Sequence, residues 1–378
     1  MRVRWFSASL AALALLLAST VCLVVHAQEG PQSQNSDSVA KPKKKSEDVP
    51  PPDQAPIPSE YKKKDIPPEN TPTFRSNATT VTVDVSVLDD KGHFIPKLPA
   101  NWFRVLEDGV PQQISNFGQS EAPMTICMVI EFSGRFQAFW SYGWYETLQA
   151  SYGFLETLKP DDNVAVVAFD LRTTILSDFS PDKRKAEEAM SRLRIPGFSE
   201  SNVFDALTDM ADRMSNIEGR KAIILIASGV DTFSKITFDQ ARKSLQESGV
   251  PIYTLSILQI ARIMAEANGM GPIAEMTFLQ ADNEMRTFSK ETGGQSFFPR
   301  FTAEYPGVFQ QIEAALRNQY SLAYHPTNVA RDGKFRRIKV ELVNPATNDP
   351  LRITNEKGKA IKYQVLAKAG YKAPHEVD

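Results

Sequence analysis

The sequence has few of the residues that build disulfide frameworks and soft-metal sites. Its 378 residues include 2 Cys and 4 His, and the formal charge at pH 7 is -2. So few cysteines exclude a disulfide scaffold, and so small a charge gives no reason to expect nucleic acid as a partner. Because 42% of the residues are hydrophobic, the chain is neither collagen-like nor largely disordered. Its length leaves room for about two domains of ~150 residues and an unfolded segment.

Residues 1–27 have the pattern of a secretory signal peptide. Two arginines precede an apolar run over residues 10–25, and small residues lie shortly before Gln28. The run is shorter than the ~20 residues that span a bilayer, so we expect cleavage after Ala27 and no membrane span afterwards. A retained membrane anchor and lipidation at Cys22 are the alternatives. The pattern predicts an exported protein that is periplasmic, secreted or held in the cell envelope.

Cleavage would leave one cysteine and three histidines that are far apart in the sequence. Cys127 lies in an apolar run over residues 124–130, and the histidines are His93, His325 and His375. A lone cysteine makes no internal disulfide, and these residues supply no zinc-binding pattern. We predict that Cys127 is a buried core residue.

Residues 28–73 form a segment of different composition. Residues 28–72 contain 10 of the 25 prolines and two lysine clusters, with Tyr61 as their one aromatic residue. Such a segment buries too little apolar area to offset its chain entropy. We predict a disordered tether ahead of the folded part.

The two ends of the folded part share an alternating pattern that predicts β-strands. In residues 74–120, the valines from Val81 to Val87 alternate with other side chains, and Glu107-Asp108-Gly109 is typical of a tight hairpin. Similar strands recur in residues 320–374. Because neither end has enough strands for a sandwich, we predict one β-sandwich that is built from both ends.

Residues 121–319 alternate between apolar strands and amphipathic helices. The runs over 124–130, 163–169 and 221–227 are typical of strands that are buried on both faces. The pattern predicts an α/β domain with a doubly wound, mostly parallel sheet, inserted into the sandwich. In such folds ligands bind at the carboxyl ends of the strands. Residues 259–271 are expected to form an extended loop at that edge, either a recognition element or a connection.

This order of elements, with a short edge strand third, resembles that of a von Willebrand factor type A domain. Flanking segments extend the resemblance to the VWFA-related domain proteins of Acidobacteria, which implies an exported protein with a sandwich around the α/β domain. Those segments are Val105-Leu106-Glu107-Asp108-Gly109, Leu316-Arg317-Asn318-Gln319-Tyr320, Tyr324-His325-Pro326, Asp332-Gly333-Lys334-Phe335-Arg336 and Gly370-Tyr371-Lys372-Ala373-Pro374.

The resemblance also implies where a metal-dependent adhesion site would lie. Domains of this type usually bind Mg²⁺ or Mn²⁺ through an Asp-x-Ser-x-Ser pattern after the first strand, a Thr from a later loop and an Asp after the fourth strand. This chain has Glu131, Ser133 and Arg135 at the first pattern, and it places Ser201 and Ser228 at the other two positions.

Three of these positions depart from the family pattern. Glu131 is longer by a methylene, Arg135 replaces a hydroxyl ligand with a cation, and Ser228 removes a carboxylate. Because a dication and a guanidinium repel one another, we predict a degenerate, metal-free site in which Arg135 pairs with Glu131. A variant site that binds Mg²⁺ or Mn²⁺ weakly is the alternative. In that case Asp231 would supply a carboxylate, although its position is also typical of a loop or capping residue.

These patterns favour a non-catalytic, exported module that binds a protein partner of unknown identity. Its ligand-binding edge would comprise Glu131, Ser133, Arg135, Ser201, Ser228 and Asp231. The alternatives are a metal-dependent ligand-binding module, a structural subunit of an envelope assembly, and a hydrolase that uses the carboxylates near Glu131 and Asp231. No base–nucleophile pair supports the hydrolase, and Asp161-Asp162 is interpreted as a turn rather than an acid–base pair.

Overall fold

The computed structural model describes residues 80–119, 122–134, 143–193, 197–354, 358 and 360–375. The predicted signal peptide, nearly all of the sequence before the first strand, and Arg135 lie outside these residues.

The described strands and helices are numbered here in chain order. The strands are β1 (Val81–Asp89), β2 (Phe103–Glu107), β3 (Val110–Gln112), β4 (Ile114–Gln119), β5 (Met124–Glu131), β6 (Asn163–Phe169), β7 (Thr173–Ser180), β8 (Arg220–Ala227), β9 (Ile252–Ser256), β10 (Ser296–Phe297), β11 (Tyr320–Tyr324), β12 (Phe335–Leu342), β13 (Ile353–Thr354), β14 (Ala360–Ile361), β15 (Tyr363–Ala367) and β16 (Gly370–Lys372). The α-helices are α1 (Gly143–Thr157), α2 (Lys183–Ser191), α3 (Val203–Ser215), α4 (Phe238–Ser248), α5 (Gln259–Ala267), α6 (Pro272–Thr292) and α7 (Tyr305–Arg317).

The central sheet has the strand order β10-β9-β8-β5-β6-β7. All neighbouring strands run parallel except β7, which pairs antiparallel with β6 at one edge. The chain first builds outward from β5 through β6 to β7, and then returns to the other side of β5 with β8. The predicted doubly wound, mostly parallel sheet is confirmed, and its topological switch point lies between β5 and β8.

Helices cover both faces of this sheet. Alternate residues of β5 point to opposite faces, so that Ile126 and Met128 pack with α1, α2 and α7, whereas Cys127 and Val129 pack with α3, α4 and α6. Each fully buried aliphatic side chain contributes about 1.5–3 kcal/mol, which makes these two layers the main stabilising cores. The prediction that Cys127 is buried is confirmed, and burial raises the pKa of its thiol to about 12.

Two antiparallel sheets pack together as the predicted sandwich. One has the order β15-β1-β11-β4 and the other β16-β12-β2-β3, so each contains strands from both ends of the chain. Their shared core includes Val83, Val105, Leu322 and Val340, which also come from both ends. Neither end can bury its apolar face alone, and the α/β domain is inserted between the two halves.

A buried ion pair joins the amino ends of β5 and β6 to α7. Asp162, in the predicted turn, accepts hydrogen bonds from the backbone N–H groups of Met124 and Lys159, both at 2.8 Å. Its carboxylate also pairs with Arg317 at the end of α7. Burial alone would raise the pKa of Asp162, but the hydrogen bonds and the Arg317 charge outweigh it and lower that pKa.

The segment that was expected to be an extended loop is mostly helical. Residues Gln259–Ala267 form α5, and α6 begins at Pro272 after a short break. The loop prediction was wrong because it gave weight to the glycines at 269 and 271, which end α5 and precede α6. The residues before these glycines, in α5, are good helix formers, and Arg262 pairs with Glu266 one turn later at 3.0 Å.

The end of α6 contacts the turn between β15 and β16. The N–H of Ala369 donates to the carbonyl of Glu291 at 2.8 Å. Gly293 has a φ of 87°, and a Cβ there would lie 2.7 Å from the backbone nitrogen of Lys368. A glycine is required at this position, and it allows the α/β domain and the sandwich to touch through their backbones.

None of the helices in the described part of the chain is long and apolar enough to cross a membrane.

Candidate functional site

The switch point brings together the carboxyl ends of β5 and β8. Glu131 is the last residue of β5, and Ser228 directly follows the last residue of β8. Because these two strands are parallel neighbours, their carboxyl ends meet at the same edge of the sheet. The side chains of Glu131 and Ser228 are thereby close enough to bond.

The carboxyl group of Glu131 is held by donors from two loops. Its Oε2 accepts hydrogen bonds from the backbone N–H of Ser228 at 2.7 Å and from the Ser228 hydroxyl at 2.6 Å. Its Oε1 accepts one from the Ser133 hydroxyl at 2.9 Å. All three residues are at most 3% exposed. Protein donors therefore already engage both oxygens of the one carboxyl group in this cluster.

Burial raises the pKa of Glu131 above its ordinary value. The donors from Ser228 and Ser133, together with the nearby Ser201 hydroxyl, lower this pKa in part but do not reverse the shift. Neutral hydroxyl and amide donors stabilise a buried carboxylate less than an arginine does. At a given pH, the carboxyl group of Glu131 is therefore protonated to a greater extent in this site than it would be in water.

Ser201 reaches the same edge from the loop before α3. Its backbone N–H donates to Thr232 Oγ1 at 2.8 Å, and its carbonyl accepts from the N–H groups of Thr232 and Phe233. Its side chain is fully buried, and its Oγ has no hydrogen-bond partner among the described residues. Backbone bonds thus position this loop, while the hydroxyl is uncommitted in the sense that it lies close enough to Glu131 to lower its pKa but makes no hydrogen bond of normal geometry.

Asp231 makes hydrogen bonds within the loop after β8 and to the first turn of α3. One of its carboxylate oxygens accepts from the Ser234 hydroxyl at 2.5 Å and from the N–H of Phe204, in the first turn of α3, at 3.4 Å. Burial raises its pKa, and these hydrogen bonds lower it in part. Such contacts are those of a capping residue, and its hydrogen-bond partners are other than Glu131, Ser133 and Ser228.

The donor set fits a tightly bound Mg²⁺ or Mn²⁺ poorly. Hard dications prefer several carboxylate, carbonyl and water oxygens. Here Ser228 donates to Glu131 instead of supplying a second carboxylate, and the raised pKa of Glu131 opposes the anionic form that a metal would need. Among the described residues, no group of three or more His, Cys, Asp or Glu side chains converges.

An exposed apolar surface lies beside this edge. Ile273, Met276 and Leu279 on the first turns of α6 are 84%, 70% and 44% exposed, and Phe233 in the loop after β8 is 62% exposed. We call the three residues of α6, Ile273, Met276 and Leu279, the apolar stripe. This surface was not predicted from the sequence, although Ile273, Met276 and Leu279 follow Pro272 at a spacing of three residues.

A small cluster explains why the start of α6 is at this edge. Val230 and Leu258, from the loops after β8 and β9, pack with Ala281 and partly buried Phe278 of α6. A groove of about 450 Å³ follows the helix there, and Phe238, Met276 and Leu279 are among its lining residues. The apolar stripe therefore belongs to the same end of the domain as Glu131 and Ser228.

No family model and no curated protein matches the chain. Among solved structures, it is similar to the vWF domain of the type V pili tip protein Mfa5 from Porphyromonas gingivalis, with 13% identity, a TM-score of 0.40, and coverage of 51% of this chain and 96% of that one. A von Willebrand factor type A structure from Catenulispora acidiphila has 11% identity and a TM-score of 0.41, with 79% and 75% covered. An aerotolerance-related membrane protein from Bacteroides fragilis has 15% identity and a TM-score of 0.37, with 50% and 98% covered.

Identities of this size concern the fold alone. The strand order of the central sheet, its antiparallel edge strand and its two helical layers show a doubly wound α/β domain, the architecture expected from the resemblance to von Willebrand factor type A domains, and this chain carries it inside a β-sandwich.

Proposed function

We propose that this chain is an exported, non-catalytic protein-binding module that contacts its partner with the carboxyl edge of the α/β sheet. The apolar stripe carries the proposal, because it exposes three large apolar side chains, spaced three residues apart on α6, beside that edge. Contiguous exposed apolar surface is typical of protein interaction sites. The signal-peptide pattern supports export, and the flanking motifs support an acidobacterial type of VWFA-related protein.

The hydroxyl-lined site is proposed to work without a metal. Glu131 bonds to Ser228 and Ser133 rather than keeping its oxygens for a cation. Its role in this proposal is to join the loops after β5 and β8, so that the edge has one defined shape. Preorganised surfaces bind with a smaller loss of conformational entropy than mobile ones.

The chemistry of the described residues supports a non-catalytic role. His93 contacts Asp89 within a hairpin, and His325 lies 3.4 Å from the Thr80 hydroxyl in the sandwich. The Cys127 thiol is buried, and its raised pKa disfavours the nucleophilic thiolate. The hydroxyls of Ser133 and Ser228 do donate to the Glu131 carboxyl group, but all three residues are at most 3% exposed, so this pairing of a nucleophile type with a base type is closed to a substrate.

The experiment that tests the binding surface uses two sites of equal exposure. A photo-crosslinking amino acid is placed at Ile273 or, as the matched control, at Val329 in the sandwich; both residues are 84% exposed. We expect one defined adduct from envelope extract at Ile273 that is absent at Val329. Met276→Glu in the same chain should then remove it. Adducts that are identical at the two sites, or that persist in Met276→Glu, would overturn the proposal.

The metal-free interpretation has a separate test. Isothermal titration of the purified chain with Mg²⁺ and with Mn²⁺ is expected to give no saturable heat. Saturable binding that disappears in Glu131→Ala would show instead a variant metal site, which the uncommitted hydroxyl of Ser201 would favour.

A further inference from the structure

A second surface lies between the α/β domain and the sandwich. A cleft of about 820 Å³ is bounded on one side by α4 and on the other by the outer face of β12 and β2. Lys372 of β16 pairs with Glu247 of α4 at 3.1 Å and joins the two walls. None of the residues that line this cleft belongs to the groove beside the apolar stripe.

Strand alternation places cations on the sandwich wall. Along β12, Arg336, Ile338 and Val340 point into the sandwich, whereas Phe335, Arg337 and Lys339 point outward into the cleft. Lys339 lies opposite Leu106 of β2 in the pairing register. This wall therefore combines two positive charges with apolar surface.

The helix wall adds two more cations. Arg242 and Lys243 on the exposed face of α4 line the cleft, and Asp239 is its one acidic lining residue. Glu291 holds Arg242 through both carboxylate oxygens, at 2.7 and 2.5 Å, and so fixes its guanidinium in place. Lys339 pairs with Glu341 at 2.6 Å. Arg337 and Lys243 have no ion pair among the described residues, which leaves one unpaired cation on each wall.

We propose that this cleft binds an extended acidic peptide segment of a partner protein. The unpaired cations of Lys243 and Arg337 would each pair with a carboxylate, while the apolar parts of Leu106 and Phe335 would pack against side chains between the acids. An apolar floor of this kind has no counterpart on a phosphate backbone. The chain as a whole is also weakly acidic, which disfavours a nucleic acid as the occupant.

The test measures binding of a synthetic peptide to the full chain. The probe is a fluorescein-labelled dodecapeptide in which Glu alternates with Leu and Ser, and fluorescence anisotropy reports its Kd at low and at high NaCl. We expect saturable binding that weakens with salt, and no binding of the same peptide with Gln in place of Glu. The double variant Lys243→Glu/Arg337→Glu should weaken binding by about tenfold or more, because two attractions become repulsions.

The matched control reverses the same amount of charge elsewhere. Lys185→Glu/Arg192→Glu changes two exposed residues at α2, on the opposite face of the sheet from α4, and is expected to leave the Kd unchanged. Should the first double variant fail to fold in a thermal scan, Lys243→Gln/Arg337→Gln replaces it with a smaller expected loss. An equal loss in both double variants, or no loss in the cleft variant, would overturn the proposal. So would tighter binding of a DNA duplex than of the peptide.

This inference stands apart from the proposed function of the carboxyl edge. Met276→Glu should leave peptide binding unchanged, since Met276 does not line the cleft. Loss of peptide binding in Met276→Glu would show that the peptide binds at the carboxyl edge, which would overturn the cleft assignment.

Discussion

Two buried carboxyl groups lie at opposite ends of the same strand and have opposite pKa shifts. Asp162 accepts a hydrogen bond from Met124, the first residue of β5, and Glu131 is the last residue of that strand. Both side chains are buried and both accept several hydrogen bonds. Asp162 also has the guanidinium of Arg317, and its pKa is lowered, whereas Glu131 has hydroxyl and amide donors, and its pKa is raised.

The difference shows how one strand can have a rigid end and a responsive end. A buried carboxylate with an arginine stays charged and acts as an anchor, although the net stability of such a pair is modest. A buried carboxyl group with neutral donors lies closer to protonation and therefore responds to pH. The end with Glu131 is also the end with the apolar stripe, so the responsive end is the one proposed to bind a partner.

The largest expected effect on stability comes from removing Arg317, the cationic partner of the Asp162 carboxylate. Arg317→Ala would leave a buried carboxylate without its partner, and we expect a loss of about 3–5 kcal/mol in the free energy of unfolding. Urea denaturation measures this loss. Arg184→Ala, which breaks the exposed pair with Asp182, is the control and should give no measurable change. Similar values for the two variants would mean that Arg317 does not anchor β5.

A smaller loss in the free energy of unfolding is expected at the carboxyl end of β5, where Glu131 lies. Ser228→Ala removes one hydroxyl donor from Glu131 but keeps the backbone N–H that bonds to the same oxygen. The expected cost is about 1–3 kcal/mol, the range for a buried acceptor that loses a partner. The same denaturation series checks it, and a loss as large as that of Arg317→Ala would contradict the contrast between the two ends.

The two carboxyl groups should also respond oppositely to pH. Because the pKa of folded Glu131 is raised, its stabilising contribution is full below the unfolded value of about 4.3 and is lost as pH rises through the folded pKa. The contribution of Asp162 is present above about 3.9 and is lost as pH falls through its lowered folded pKa.

The variant that isolates the Glu131 response is Glu131→Gln. Its stability relative to the natural chain should increase as pH rises, by up to about 1.4 kcal/mol for each pH unit between the unfolded and folded pKa values. Thermal or urea unfolding across the acidic to neutral range measures this difference. A constant difference across that range would show that Glu131 does not titrate abnormally.

The smallest effect is expected at Ser201. Its hydroxyl is buried near Glu131 without a hydrogen bond of normal geometry, so Ser201→Ala should change the free energy of unfolding by no more than about 0.5 kcal/mol in either direction. Comparison with Ser228→Ala in one denaturation series separates a bonded hydroxyl from an uncommitted one. A cost at Ser201 equal to that at Ser228 would indicate an interaction of this hydroxyl in solution.

Much of the fold could be predicted because burial leaves a regular pattern. The continuous apolar runs of β5, β6 and β8 indicated strands covered on both faces, and the alternation in β1 indicated a strand with one face in a core. The resemblance to von Willebrand factor type A domains implied the positions of Glu131 and Ser228, and the rule that parallel strands present their carboxyl ends together placed both at one edge. The mistaken loop at residues 259–271 arose because the glycines at 269 and 271 carried more weight than the helix propensity of the residues before them.

The contacts within the site could not be predicted in the same way. Pairing of Glu131 with Arg135 was expected from charge alone, and Arg135 lies outside the described residues, so that pairing stays a prediction. Hydrogen bonding of Glu131 to Ser228 depends on the distance between two strands that are 97 residues apart in sequence. Local sequence patterns carry no information about the distance between residues so far apart in the chain.

By itself, the sequence determined most of the secondary structure, the nesting of one domain in another and the residues available at the carboxyl edge, because these depend on apolar periodicity and on chain order. Tertiary structure alone decided which of two buried carboxyl groups received an arginine, where the first turns of α6 left apolar side chains exposed, and that α4 and β12 form two walls of a basic cleft. Those outcomes depend on distances between residues far apart in the chain, since charge interactions and burial act through space.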